Sequence, residues 1–286
     1  FLSILPLLQA VDPPFDEEFA RNVMMPLASA AYTHKAQGCL DNKMPGAKVS
    51  MRVEVPCDTI DTDTCSAFTM IDTTRGVIAL VFRGTSTGDQ LKDEIITTLF
   101  ENKTEFRDGG MTSPYFATAF DDLWFNSGIG ADFLYLINKY PSYKLYLTGH
   151  SLGGSLASLA TVHILQNKLF PAAQTTYYSF GEPRTGTQEF ADLIDSLIVS
   201  YRVVHAKDII PHVPFEHGME YFHHKYEIWY NNDMKVGDTY EMCPDGPKHQ
   251  KCSKSLKGDL AFNPDHLYYY NVNLLDYAKN GCIDDQ

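Results

Sequence analysis

Residues 144–165 constrain the fold more tightly than any other stretch of the chain. Lys144-Leu145-Tyr146-Leu147-Thr148 reads as a short strand, and Ser155 to Leu165 as a helix rich in Ala and Leu. Between them stands Gly149-His150-Ser151-Leu152-Gly153-Gly154, a match to G-x-S-x-G. A strand can pass this abruptly into a helix only if the residues two places either side of the serine lack side chains, so that strand and helix approach closely. The turn lifts the serine hydroxyl above a sheet and leaves its backbone at a helix N-terminus, where amides and dipole favour negative charge. Ser151 is therefore the expected nucleophile, and the Leu152 N–H an expected donor to a developing oxyanion. A tight Gly-Ser turn without chemistry would carry the same letters, but the flanking strand and helix argue against it.

The rest of the chain supplies the sheet that such a turn needs. Glu17 to Tyr32 reads as helix, and Lys48 to Val55 alternates at the strand period. Ala67–Thr73 and Gly76–Phe82 form a hairpin about Thr74-Arg75; the second is apolar throughout, as in a central strand covered on both faces. Phe116 to Tyr140 reads as one helix stopped by Pro141. Thr175–Phe180 and Ser200–Val204 are further strands, with a helix over Thr187–Leu197 between them. Alternating strand and helix predicts an α/β fold with a mainly parallel sheet and helices on both faces. Function in such sheets gathers at the carboxyl ends of the strands. No Pro-, Gly- or Ser-rich divider and no repeat splits the 286 residues, so one domain over 1–286 is expected.

A net charge of −13 argues against nucleic acid and anionic membranes as partners and favours neutral ones. No apolar run is long enough to span a bilayer. The apolar opening Phe1 to Ala10 fits either the end of a signal peptide or a segment docked on the domain. Six cysteines bear on compartment. Cys57 and Cys65 flank a short acidic loop, Cys243 and Cys252 flank a polar one, and Cys39 and Cys282 remain near the two ends. Neither loop pair has zinc-ligand spacing, so three disulfides and a secreted protein are expected. Asn102-Lys103-Thr104 is a candidate glycosylation acceptor.

Tyr140 to Gly154 resembles the core signature of the class 3, or fungal-type, lipase family, within the α/β-hydrolase fold. Val81-Phe82-Arg83-Gly84-Thr85 resembles that family's oxyanion loop, and Phe180-Gly181-Glu182-Pro183-Arg184-Thr185-Gly186 its next strand end. Asp265-His266-Leu267-Tyr268-Tyr269-Tyr270 resembles its histidine segment, and the wording from Tyr115 to Trp124 is nearest to secreted nematode-type members. In α/β-hydrolases the acid and the base follow the serine in the order Asp or Glu, then His. Asp208 lies just past the strand Tyr201–Val204 and matches the aspartate motif. Asp192 and Asp195 fall within a helix and Asp233 and Asp238 in polar loops, which makes them poor rivals. Of ten histidines, His266 follows Asp208, precedes a terminal helical stretch over Leu267–Tyr277 and matches the family's position. His205, His212, His217, His249 and the His223-His224 pair take structural or exposed roles, and Asp265 a turn. By resemblance, the Thr85 N–H is the second oxyanion donor. The resemblance implies no cofactor and no metal.

The segment after that loop is the family's lid. Leu91, Ile95, Ile96 and Leu99 would share one helical face there, suited to a lid whose opening exposes apolar surface to lipid; a fixed surface helix has the same pattern. Two departures stand out. Ser113-Pro114-Tyr115-Phe116 replaces the family's usual His and Gly before the Phe, and Glu182 is a less usual occupant, either a carboxylate near the pocket or, the favoured reading, a turn residue. The expected function is hydrolysis of acylglycerols at an interface. The alternatives are a phospholipase A1 or soluble esterase on the same triad, or a non-catalytic lipid-binding protein.

Overall fold

The fold is built around a strand with no polar residue. In the computed structural model, which describes residues 14–57, 64–85, 102–244, 252–256 and 264–284, Val77–Phe82 is wholly buried. Its side chains alternate: Ile78, Leu80 and Phe82 enter one core, and Val77, Ala79 and Val81 the other. A strand apolar at every position must be covered on both faces, and this one is.

The strands in chain order are β1 (Lys48–Pro56), β2 (Thr64–Asp72), β3 (Val77–Phe82), β4 (Thr104–Glu105), β5 (Met111–Thr112), β6 (Lys144–His150) and β7 (Thr175–Phe180). They continue as β8 (Tyr201–His205), β9 (Glu227–Tyr230), β10 (Glu241–Cys243), β11 (Tyr268–Tyr269) and β12 (Val272–Asn273). Among the described residues one sheet runs β1-β2-β3-β6-β7-β8-β9-β10. The five central strands from β3 to β9 are mutually parallel, and the pairs at the two edges are antiparallel. One face is covered by helices within Pro114–Lys139, Leu152–Gln166 and Gln188–Leu197, the other by helices near the two chain ends. Cys39–Cys282 ties those two ends together, while Cys57–Cys65 and Cys243–Cys252 close short loops. This is the mainly parallel α/β architecture expected of the sequence.

Several boundaries differ, for local reasons. The helix expected over Phe116–Tyr140 is two, Pro114–Asp121 with a π turn to Asn126, then Ile129–Lys139. Gly128, at φ 93°, breaks it, and the Ser127 hydroxyl accepts from the Ile129 amide and donates to the Leu123 carbonyl. The terminal stretch Leu267–Tyr277 is not one helix either. A 3₁₀ turn (Pro264–Leu267) leads into the β11–β12 hairpin, whose turn residues Tyr270 and Asn271 both have positive φ. Only Leu274–Lys279 is helical, started by the Asn273 side chain accepting from the Leu275 and Asp276 amides. At the nucleophile the helix begins at Leu152, three residues before the sequence pattern suggests. Gly76 belongs to the β2–β3 turn, where the Asp72 carboxylate accepts from the Thr74 and Arg75 amides.

Candidate active site

β6 ends at His150, and the next residue has the backbone of a strained turn. Ser151 has φ 58° and ψ −132°, a conformation that non-glycine residues occupy only when their surroundings impose it. The bracketing glycines are what allow it: a Cβ on Gly149 would overlap the Gly153 carbonyl, and one on Gly153 would overlap the Phe82 carbonyl of β3. The Ser151 amide donates to the Phe180 carbonyl at 2.9 Å, so β7 holds the turn from the other side.

Ser151 Oγ lies 2.9 Å from His266 Nε2, and His266 Nδ1 lies 2.9 Å from Asp208 Oδ2. All three residues are buried. Asp208 follows β8, so three separate segments converge at the carboxyl ends of the parallel strands. Its carboxylate also accepts the Tyr269 hydroxyl at 2.8 Å and the Ile210 amide at 2.9 Å. Burial alone would raise the Asp208 carboxyl; the adjoining His266 and these donors outweigh it and hold the group below the usual carboxylate range. An ionised Asp208 can only accept, so Nδ1 of His266 carries the proton and Nε2 is free to accept from the serine.

His266 is positioned by a second chain that sequence reading missed. His150 Nε2 lies 2.7 Å from the His266 carbonyl, and the two rings face each other with centroids 4.5 Å apart. A carbonyl only accepts, so His150 Nε2 donates and its Nδ1 accepts a hydrogen bond from the Tyr32 hydroxyl at 2.6 Å. Burial, aided by the neighbouring His266, lowers the His150 pKa to about 3, so the ring stays neutral. The sequence signal was present: a histidine at the x of G-x-S lies inside the turn itself.

The expected oxyanion donors are Leu152, which follows Ser151, and Thr85, which follows Gly84. Leu152 is the first residue of the helix that follows the serine. Thr85 lies in the stretch after β3, which is pinned by Arg83: the Arg83 amide donates to the Ser66 carbonyl at 2.8 Å, and its guanidinium meets Thr64 and Glu54. A Cβ on the intervening Gly84 would come within 3.0 Å of Ser151 Cβ, which locates the loop against the nucleophile. The proposed lid residues Leu91, Ile95, Ile96 and Leu99 lie outside the described residues. Asn102 is exposed. Asp265 lies in the 3₁₀ turn Pro264–Leu267, and its carboxylate accepts the distant Lys207 amide at 3.0 Å. The rejected acids lie elsewhere: Asp192 accepts from Gln188, Asp195 from the Lys225 amide, and Asp233 pairs with Lys235 at the surface. Ser113 is buried at the start of the Pro114–Asp121 helix, so the departure from the family's His-Gly places a small polar group there.

Glu182 corrects the sequence reading. It is no bystander in a turn but is 1% exposed, accepting from the hydroxyls of Tyr177 (2.9 Å), Ser179 (2.5 Å) and Thr185 (3.1 Å) and meeting His224 Nε2 at 3.2 Å. The turn assignment failed because a carboxylate beside Gly and Pro resembles surface, and its partners come from residues scattered between 177 and 224. His223 and His224 do take structural roles, His223 Nε2 lying 2.7 Å from the Pro211 carbonyl.

The chain order Ser, Asp, His on a sheet of this topology is that of the α/β-hydrolases, and the fold belongs to that class. A family model described as lipase (class 3) matches residues 79–218. A lipase from Caenorhabditis elegans is 32% identical over 95% of this chain and 84% of its own length. One from Rhizomucor miehei is 32% identical over 47% of this chain and 37% of its own. The crystal structure of a lipase from Rhizopus microsporus var. chinensis superposes with a TM-score of 0.77 at 25% identity, covering 90% of this chain and 87% of that one. The chain belongs to the class 3 lipase family, and its substrate class is a lipid ester.

Proposed function

We propose that this chain is a secreted acylglycerol lipase working through an acyl-enzyme on Ser151. The observation that carries the reading is the pair of 2.9 Å contacts running Ser151–His266–Asp208 from a serine at φ 58°. Ser151 Oγ attacks the ester carbonyl as His266 Nε2 takes its proton, and the tetrahedral oxyanion is held by the N–H groups of Thr85 and Leu152. His266 returns the proton to the departing alcohol, leaving the acyl group on Ser151. A water, deprotonated by the same nitrogen, then attacks the acyl carbonyl; the fatty acid leaves and the proton goes back to Ser151 Oγ. Asp208 keeps the imidazole in the required tautomer and stabilises the imidazolium between steps.

Family membership supports a lipid ester, and the amphipathic 91–99 pattern supports action at an interface. Pairing of all six cysteines as disulfides supports an oxidising, extracellular setting. The exposure of Asn102 suits a glycan acceptor. Disulfide pairing of the chain ends, and cores on both faces of one sheet, support a single domain over 1–286.

The test is fatty-acid release from long-chain triacylglycerol as its concentration crosses the point where droplets form. The proposal expects a sharp rise at that point and a lower specific activity on phospholipid vesicles and on a monomeric short-chain ester. Preference for vesicles would make it a phospholipase, and preference for the monomeric ester would make it an esterase.

A further inference from the structure

A second buried polar site lies behind the strand that leads to Asp208. β8 contributes Arg202, the turn after β7 contributes Arg184, and the 3₁₀ turn Ile210–His212 contributes His212. All three are at least nine-tenths buried, at 1%, 6% and 8% exposure. Together with Glu216, Glu227 and Lys254 they line a cavity of about 20 Å³.

Most of the polar atoms around it are engaged. The Arg184 guanidinium donates to the carbonyls of His212 and Pro214 and, at 3.1 Å, to Glu216 Oε1. Arg202 Nε donates to the His224 carbonyl at 3.0 Å. Its Nη2 lies 3.7 Å from Glu227 Oε2. Glu216 Oε2 is taken by Lys254 at 2.6 Å, and Glu227 Oε1 by the amide and hydroxyl of Ser253. Three nitrogens remain without a partner among the described residues: Arg184 Nε, Arg202 Nη1 and His212 Nε2. Arg184 Nε and Arg202 Nη1 can only donate, and His212 Nε2 donates when its ring carries the proton there. Each unmet buried donor costs on the order of 1–3 kcal/mol, so the set calls for an acceptor.

Charge and size narrow what that acceptor is. Guanidinium N–H groups only donate, so the occupant must accept from both arginines. The lining holds three fixed positive charges, on Arg184, Arg202 and Lys254, against two negative ones, on Glu216 and Glu227. Burial keeps His212 near a pKa of about 4, and His223 is likewise pushed down, so neither adds charge near neutrality. The lining itself therefore holds one more positive charge than negative. The volume suits about one water-sized particle, which favours a monatomic ion over phosphate, sulfate and carboxylates. We propose that this cavity binds a single monatomic anion, chloride in ordinary salt solution, held by Arg184 Nε, Arg202 Nη1 and His212 Nε2. The anion ties three segments together: the turn after β7, β8 itself, and the turn that follows Asp208. The inference does not depend on the hydrolase reading, because none of its residues touches Ser151 or His266.

Two measurements on the full chain test it. Crystals grown in bromide should give an anomalous peak within hydrogen-bonding reach of Arg184 and Arg202. At constant ionic strength and neutral pH, titrating chloride or bromide against gluconate should raise the melting temperature saturably by about 2–4 °C, gluconate being too large to enter. Arg184→Lys, which keeps the charge and removes the Nε donor, should abolish that halide-specific rise. Bromide absent from the cavity, or bound only elsewhere, overturns the proposal. So does a halide curve that superimposes on gluconate, since an ordered water would then serve the three nitrogens.

Discussion

Replacing Glu182 by alanine should destabilise the protein far more than removing a turn residue would. The carboxylate has four partners, and they do not suffer equally. Without it, the Tyr177 hydroxyl keeps the Gly154 carbonyl at 3.0 Å, and Thr185 keeps Ser155 Oγ at 2.9 Å. Ser179 Oγ and His224 Nε2 lose their acceptor in a site without water access. Two stranded donors at about 1–3 kcal/mol each give about 2–6 kcal/mol. At roughly 2–4 °C per kcal/mol for a chain of this size, the melting temperature falls by about 10 °C. Glu182→Gln keeps the shape and an acceptor for Ser179, and should lose only about a third of that. Burial pushes the Glu182 carboxyl up, but His224 and Ser179 more than offset it and hold the group low. Its contribution is therefore present above the unfolded carboxylate pKa and lost as pH falls through the lower folded value, so wild type and Glu182→Ala should converge in acid. Thermal unfolding followed by circular dichroism reads all of this. A Glu182→Ala protein melting within about 2 °C of wild type at pH 7 would refute the network and restore the turn reading.

Three further outcomes follow from the same geometry. Asp208→Asn should lower kcat on a soluble nitrophenyl ester by about 10³–10⁴ with little change in KM, because an amide no longer selects the His266 tautomer; a loss under tenfold would contradict this. Gly181, at φ 57°, would on gaining a Cβ place it 2.9 Å from Tyr269 Oη, 3.0 Å from Asp208 Oδ2 and 3.1 Å from His266 Cε1. Gly181→Ala should therefore cost about a hundredfold in kcat, and unchanged kinetics would show that the triad is not packed as described. Burial depresses the pKa values of His150, His212 and His223, so below the unfolded value near 6.5 the unfolded chain binds protons that the native one refuses. Stability should fall by up to about 1.4 kcal/mol per pH unit for each histidine, visible as a declining melting temperature from pH 6.5 to 5; a flat profile over that interval would be the contrary result.

What the sequence disclosed and what it hid divide along a physical line. β3 and the β6–Ser151–helix passage were legible because local apolar pattern and steric demand act over a few neighbouring residues. The disulfide pairs were legible because two of them close short loops. The cysteine-bearing helix Ala36–Lys43, the four-residue strand β9 and the three-residue edge strand β10 were not, since they are too short to show a period and owe their form to what they pack or pair against. The Tyr268–Asn273 hairpin was read as helix because alternating burial over two-residue strands leaves no period to detect. Within the site, Ser151, Asp208 and His266 could be named from motif order. The supports of His266 and Asp208, which are Tyr32, His150 and Tyr269, could not: they lie 118, 116 and 61 residues from the groups they bind. Glu182 shows the converse, a polar letter whose burial only the fold reveals.

The central claim is that Ser151 is a nucleophile activated through His266. A nitrophenyl alkylphosphonate tests it directly, since attack forms an Oγ–P bond and expels nitrophenol, the serine proton passing by way of His266. The expected result is one equivalent of nitrophenol per chain, the phosphonyl mass on the peptide containing Ser151, and no release from Ser151→Ala. Release that persists in the variant, or a label on any other residue, would contradict the account.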